Sequence, residues 1–151
     1  MGVLLNDDEV WAELERAHTG ILTTLRRDGM AVSLPTWFVA LDRRVYVRTM
    51  AKTKKVTHLQ RDPRATFLVE RGDRWEELCA VMLYASVTVH HDGPRTARVE
   101  AALEAKYAAS RTDSSAMPDA SREHYAGESV VLELVPTEPP VTWDNSKLRL
   151  R

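Results

Sequence analysis

Apolar residues keep helical spacing in only a few stretches of this chain, and elsewhere they alternate or run together. Val10, Trp11, Leu14 and Ala17 fall on one helical face, and Asp7 or Asp8 supplies a cap for a helix ending near His18. Residues 21–25 then read as a strand, and Arg27-Asp28-Gly29 as a hairpin turn into a longer strand over 30–41. Pro35 has no N–H for a ladder bond, which puts that strand at a sheet edge or at a bulge. A third strand is predicted over 45–49, a short helix over 53–61 and a fourth strand over 64–70. The fifth strand, 78–90, is nearly all apolar, which predicts cover on both faces. An Ala-rich helix is expected over 96–109, a loop or weak helix over 110–126, and a sixth strand over 130–135. The tail 137–151 is Pro-rich, yet it carries Trp143, a ring expected to pack on its own subunit or on a partner.

Six strands joined mostly by short turns, with helices between them, predict a mainly β fold with flanking helices: a six-stranded antiparallel barrel whose closure removes the sheet edges. A chain of 151 residues suits one domain with a real core, and no internal boundary is visible. A formal net charge of -1 argues against a general nucleic-acid binder. No apolar run reaches the roughly 18 residues of a membrane helix. The first ten residues lack the basic start and long apolar stretch of a signal peptide, so the cytoplasm is the expected compartment. The single cysteine, Cys79, sits in an apolar run and reads as an inert core residue.

Against that near-neutral background, residues 43–61 stand out. They hold seven Lys/Arg and no Asp or Glu. A strand ends there in a basic turn, Met50-Ala51-Lys52, and Thr53 opens a helix. Free N–H groups at a helix start together with Lys/Arg side chains make a phosphate pocket. A solvated basic face is the alternative reading. The nucleophile elbow, the zinc-protease helix, the P-loop and the dinucleotide fingerprint are all missing. His90 and His91 are adjacent on a strand and point to opposite faces, a poor metal pair. A phosphate pocket without a nucleophile suggests chemistry brought by a cofactor, with the protein holding it and excluding water.

Three segments in order, GILTTLRRDG, VSLPTWFVALDRRVYVRT and AKTKKVTHLQRDPRATFLV, resemble the split-barrel flavin and deazaflavin oxidoreductases of the pyridoxamine-phosphate-oxidase-like superfamily. The similarity runs from about Gly20 to Val89 and more loosely to WDNSKL in the tail. It implies a split-barrel homodimer binding FMN or the deazaflavin coenzyme F420 across the subunit interface. By position, Arg48, Thr49, Lys52, Thr53 and Lys54 resemble the phosphate-facing residues. Ser33, Leu34, Pro35, Thr36 and Trp37 match the strand beside the flavin ring. The longer C-terminal substrate segment of the true pyridoxamine phosphate oxidases, with its Arg and His, is missing, which counts against vitamin B6 oxidation. The wording RDPRA is closer to the deazaflavin branch. Two functions are therefore expected: a reductase moving a hydride to or from a small organic substrate, or a protein that binds or stores the cofactor without turnover. A nucleic-acid-binding barrel is disfavoured by the charge balance, and no nucleic-acid or membrane partner is expected.

Overall fold

The computed structural model describes residues 3–91 and 93–148. Helix α1 spans Asp7–Arg16 and is capped by Asn6 rather than by an aspartate, because Asn6 and Glu9 satisfy each other's backbone N–H in a capping box. The strands are β1 Gly20–Leu25, β2 Ala31–Thr36, β3 Val39–Leu41, β4 Arg44–Met50, β5 Arg64–Arg71, β6 Cys79–His90, β7 Ser129–Pro136 and β8 Val141–Asp144. Helix α2, Lys54–Arg61, links β4 to β5; α3, Pro94–Tyr107, and the short α4, Asp119–Tyr125, lie between β6 and β7.

The count is eight strands, not six, for two reasons. The long strand predicted over 30–41 bends at Trp37-Phe38 and becomes β2 and β3. The tail supplies β8, which extends the edge of β6 beyond the end of β7, with Cys79 opposite Asp144 and Met82 opposite Val141. The sheet is antiparallel and curls in the order β2-β1-β5-β6-β7-β4-β3. Among the described residues no ladder joins β2 to β3, so hydrogen bonding does not close the barrel; the chain passes from one end strand to the other through the Trp37-Phe38 corner. Pro35 is accordingly tolerated on β2, the end strand.

Inward residues of β1, β4, β5, β6 and β7 form one apolar core with α1, α2 and the corner residue Phe38, including Leu14, Leu22, Val47, Val56, Phe67, Val81 and Leu132. Gly20 starts β1 beneath the Phe67 ring. A Cβ there would stand 2.1 Å from Phe67 Cζ, so no larger residue fits without displacing the ring. A second cluster lies outside the sheet, where Val99, Leu103 and Tyr107 of α3 cover Val39, Tyr46 and Val131. Tyr107 also fastens the corner. Its hydroxyl is 2.6 Å from the His18 carbonyl and 2.9 Å from both the amide and the carbonyl of Phe38. Its ring stacks on Trp37 at 4.3 Å.

The double cover predicted for β6 is not found. Its residues alternate between buried and partly open from Cys79 to Tyr84. The outward residues of this half of the sheet, Ile21, Leu68, Met82 and Tyr84, belong to neither apolar cluster. Trp143 and Val141 of β8 continue this face and are about half exposed. The tail is nonetheless held firmly, through groups other than Trp143. Thr142, Asp144 and Asn145 are buried; Thr142 Oγ1 accepts from Leu5 N, and Asn145 Nδ2 donates to the Trp75 carbonyl at 2.7 Å.

Candidate functional site

The end of β4, the turn after it and the start of α2 form a compact basic surface. Thr53 is the N-cap of α2, but its hydroxyl donates to the Met50 carbonyl at 3.0 Å and makes no cap bond, and the first turn holds no acidic residue. The helix therefore begins with amide N–H groups that no side chain caps, flanked by Lys52, Lys54 and Lys55. Both features favour an anion: unfilled donors point out of the helix start, and the helix dipole adds its positive end. Lys54 is exposed. Lys52 is exposed too and reaches the Glu123 carbonyl of α4 at 3.3 Å. Lys55, absent from the sequence-based set, is partly buried, and burial lowers its pKa.

The structure separates two residues that the sequence reading grouped. Thr49 and Thr53 approach each other at 3.4 Å on the α2 side. Arg48 is adjacent in sequence, so the strand's alternation turns it to the outer face, where its Nε donates to Ser129 Oγ at 3.3 Å and Glu100 of α3 stands 3.8 Å away. The β2 residues split in the same way. Ser33, Pro35 and Trp37 face outward, Ser33 Oγ lying 2.8 Å from Thr23 Oγ1, while Leu34 and Thr36 take the opposite face. Leu34 is 52% exposed despite its apolar side chain. No hydrogen bond or ion pair among the described residues joins the β2 group to the basic turn, and the two groups sit near opposite ends of the strand order.

Lys106 was not foreseen. It is partly buried beside the corner, donates to the Phe38 carbonyl at 2.9 Å and lies 3.7 Å from the centre of the Phe38 ring. Burial lowers its pKa to about 8. A lysine in an Ala-rich helix carries no sequence signal of such a position. The other singled-out residues are placed as follows. Cys79 is buried, and burial first, then the charge of Glu13, raises its thiol to about 11, so it is not a nucleophile. His90 and His91 diverge, toward Glu133 and Glu128 respectively. Among the described residues no His, Cys, Asp and Glu cluster is able to hold a metal.

This curled sheet with its flanking helices has known counterparts. The profile of the pyridoxamine 5'-phosphate oxidase family matches residues 7–138, and the chain belongs to that family. Its fold is shared by flavin-binding split-barrel proteins. A conserved hypothetical protein of Mycobacterium tuberculosis is 25% identical with a TM-score of 0.83, over 99% of this chain and 91% of that one. An F420 reductase is 20% identical with a TM-score of 0.63, over 84% and 92%. An FAD-binding protein of Mycobacterium smegmatis is 19% identical with a TM-score of 0.62, over 89% and 92%. No curated protein matches the chain.

Proposed function

We propose that the chain is a single split-barrel unit that works as a cytoplasmic homodimer and binds a flavin-type cofactor, coenzyme F420 or FMN, to move a hydride to or from a small organic substrate. One observation carries this reading: the uncapped, acid-free start of α2 between Lys52 and Lys54. A phosphate set there meets backbone donors and fixed positive charge together. Lys52, Thr53, Lys54 and Thr49 would hold that phosphate. Arg48 would join them by turning from Glu100. The ring would lie along β2, against Ser33, Leu34, Pro35, Thr36 and Trp37.

The same geometry supports the dimer. The phosphate group and the ring strand lie near opposite ends of the sheet, and the apolar outer face beside β2 is uncovered. A second copy seated on that face buries it. The chain's residues bind, orient and exclude water, while a bound flavin or deazaflavin supplies the hydride chemistry. That an F420 reductase and an FAD-binding protein share this fold supports a flavin-type ligand. The FAD-binding protein keeps the second reading in view, a protein that binds or stores the cofactor without turnover.

Fluorescence titration of the purified protein with FMN and with coenzyme F420 tests the proposal. Saturable binding of one of them at micromolar concentration is expected; binding of neither removes the site. Turnover of the bound reduced cofactor by a panel of activated alkenes and imines then separates the reductase from the storage protein.

A further inference from the structure

A buried carboxylate on β7 gathers a group of cations away from the surface just described. Glu133 is 4% exposed in an otherwise apolar strand. Arg44 Nη1 donates to its Oε2 at 2.8 Å, Tyr46 to the same oxygen at 2.9 Å, and Arg95 Nη1 to both oxygens at 2.8 and 3.0 Å. His90 Nε2 stands 3.1 Å from Oε1. Above this floor opens a cavity of about 460 Å³ between the β3–β4 turn and the first turn of α3, where Arg44, Arg95 and Arg98 meet the apolar Leu41, Pro94 and Val99. Arg98 is paired with Asp42 at 2.6 Å.

Among the described residues, three guanidiniums thus face two carboxylates, and one positive charge is left over. The hydrogen bonds of Arg44, Arg95 and Arg98 to these carboxylates all use Nη1, which leaves the other N–H edges for a ligand. Tethering Arg44 and Arg95 to a buried anion also fixes them beforehand, which lowers the ordering cost of binding. An ion pair that only fastened α3 to the sheet would need one arginine for Glu133 and no cavity above it.

We propose that this cavity is a ligand site for a small organic anion. Its phosphate or carboxylate head pairs with Arg44, Arg95 and Arg98, and its short carbon body lies on Leu41, Pro94 and Val99. The proposal is independent of the flavin reading: no residue of the cavity belongs to that site, so either can fail alone.

The test is ¹⁵N NMR of the intact protein titrated with inorganic phosphate and with glutarate, each against sodium chloride at equal ionic strength. The expected result is a saturable shift at the amides of Asp42, Tyr46, Arg98 and Val99 with at least one of the two anions. The anion that responds says whether the head is a phosphate or a carboxylate. The double variant R95Q/R98Q changes two half-exposed side chains, so its spectrum should remain that of the folded protein while affinity falls at least tenfold. No saturable shift with either anion up to about 10 mM, equal shifts with chloride, or unchanged affinity in the double variant would each overturn the site.

Discussion

The outer face of the sheet has two halves built by the same alternation of residues and finished differently. Over β3, β4 and β7, the helix α3 lays Val99, Leu103 and Tyr107 on Val39, Tyr46 and Val131, and all six are buried. Over β1, β5, β6 and β8, the equivalent outward positions are Ile21, Leu68, Met82, Tyr84, Val141 and Trp143, all partly or largely open. Both halves carry apolar residues outside as well as inside. The first half is complete within one chain; the second presents the kind of surface that a partner covers. A strand pattern alone does not say which half is which, because an apolar outward residue looks the same whether a helix or a second subunit lies over it.

The contrast is broken most directly by cutting a methyl cluster from each half. Leu103→Ala, in the α3 cluster, should cost about 2–5 kcal/mol in denaturant unfolding. Leu68→Ala, on the open half, should cost less than about 1 kcal/mol when measured at a dilution that leaves the chain monomeric. Equal losses would mean that the open half is already packed within the monomer.

The polar anchor of the covered half gives the next effect. Burial pushes the Glu133 carboxyl up, but the bonds from Arg44, His90 and Tyr46 and the charge of Arg95 outweigh it and hold the pKa at about 2, against an ordinary 4.5. A group whose folded pKa is depressed stabilises above its unfolded value and loses that contribution as the pH falls through the folded one. Glu133 should therefore contribute up to about 3 kcal/mol above pH 4.5, lost between about pH 4.5 and 2. Unfolding curves recorded across that window should be flatter for Glu133→Gln than for the parent; parallel curves would remove the assignment.

The open half is sharpened by charge. Light scattering should show the parent as a dimer at micromolar concentration, and the Leu68→Glu/Met82→Glu double variant as a folded monomer of about 17 kDa. A variant that keeps the parental size places the interface elsewhere. The smallest effect concerns the cofactor. Lys52→Ala with Lys54→Ala should leave folding unchanged, since both side chains are exposed, and weaken cofactor binding at least tenfold, or about 1.4 kcal/mol. An unaltered titration would detach the phosphate from the start of α2.

Much of this architecture was legible where the signals are local. Asp28-Gly29 marks the hairpin, Thr53 and Asp62-Pro63 bracket α2, and the neighbours Trp37 and Phe38 fall on opposite faces, one 36% exposed and the other fully buried. The bend between them was not legible, because no Gly or Pro stands at the break; Tyr107, some seventy residues away, fixes it. β8 escaped for a related reason: Val141–Asp144 is short, follows two prolines and becomes a strand only because β6 outruns β7. Of the candidate site, the basic turn and helix start were readable from charge alone. The separation of Arg48 from Thr49 follows from strand alternation and could have been read. Glu133 left a trace as well, a lone acid in VVLELV, but its partners Arg44, His90 and Arg95 are scattered along the chain and meet only in the fold.

The pairing of β4 with β7 also governs how this chain comes to fold. Val45 lies opposite Leu134, and every rung of that ladder spans about 80 residues or more. At a synthesis rate of roughly 5–20 residues per second, β4 leaves the ribosome some 4–16 seconds before its partner exists. During that interval its hydrogen-bonding edge and the run Val45-Tyr46-Val47 are open to any passing strand. Arg44 and Arg48 bracket that run. They place charge on both sides of an apolar run, the arrangement that keeps an unpaired strand from joining another chain.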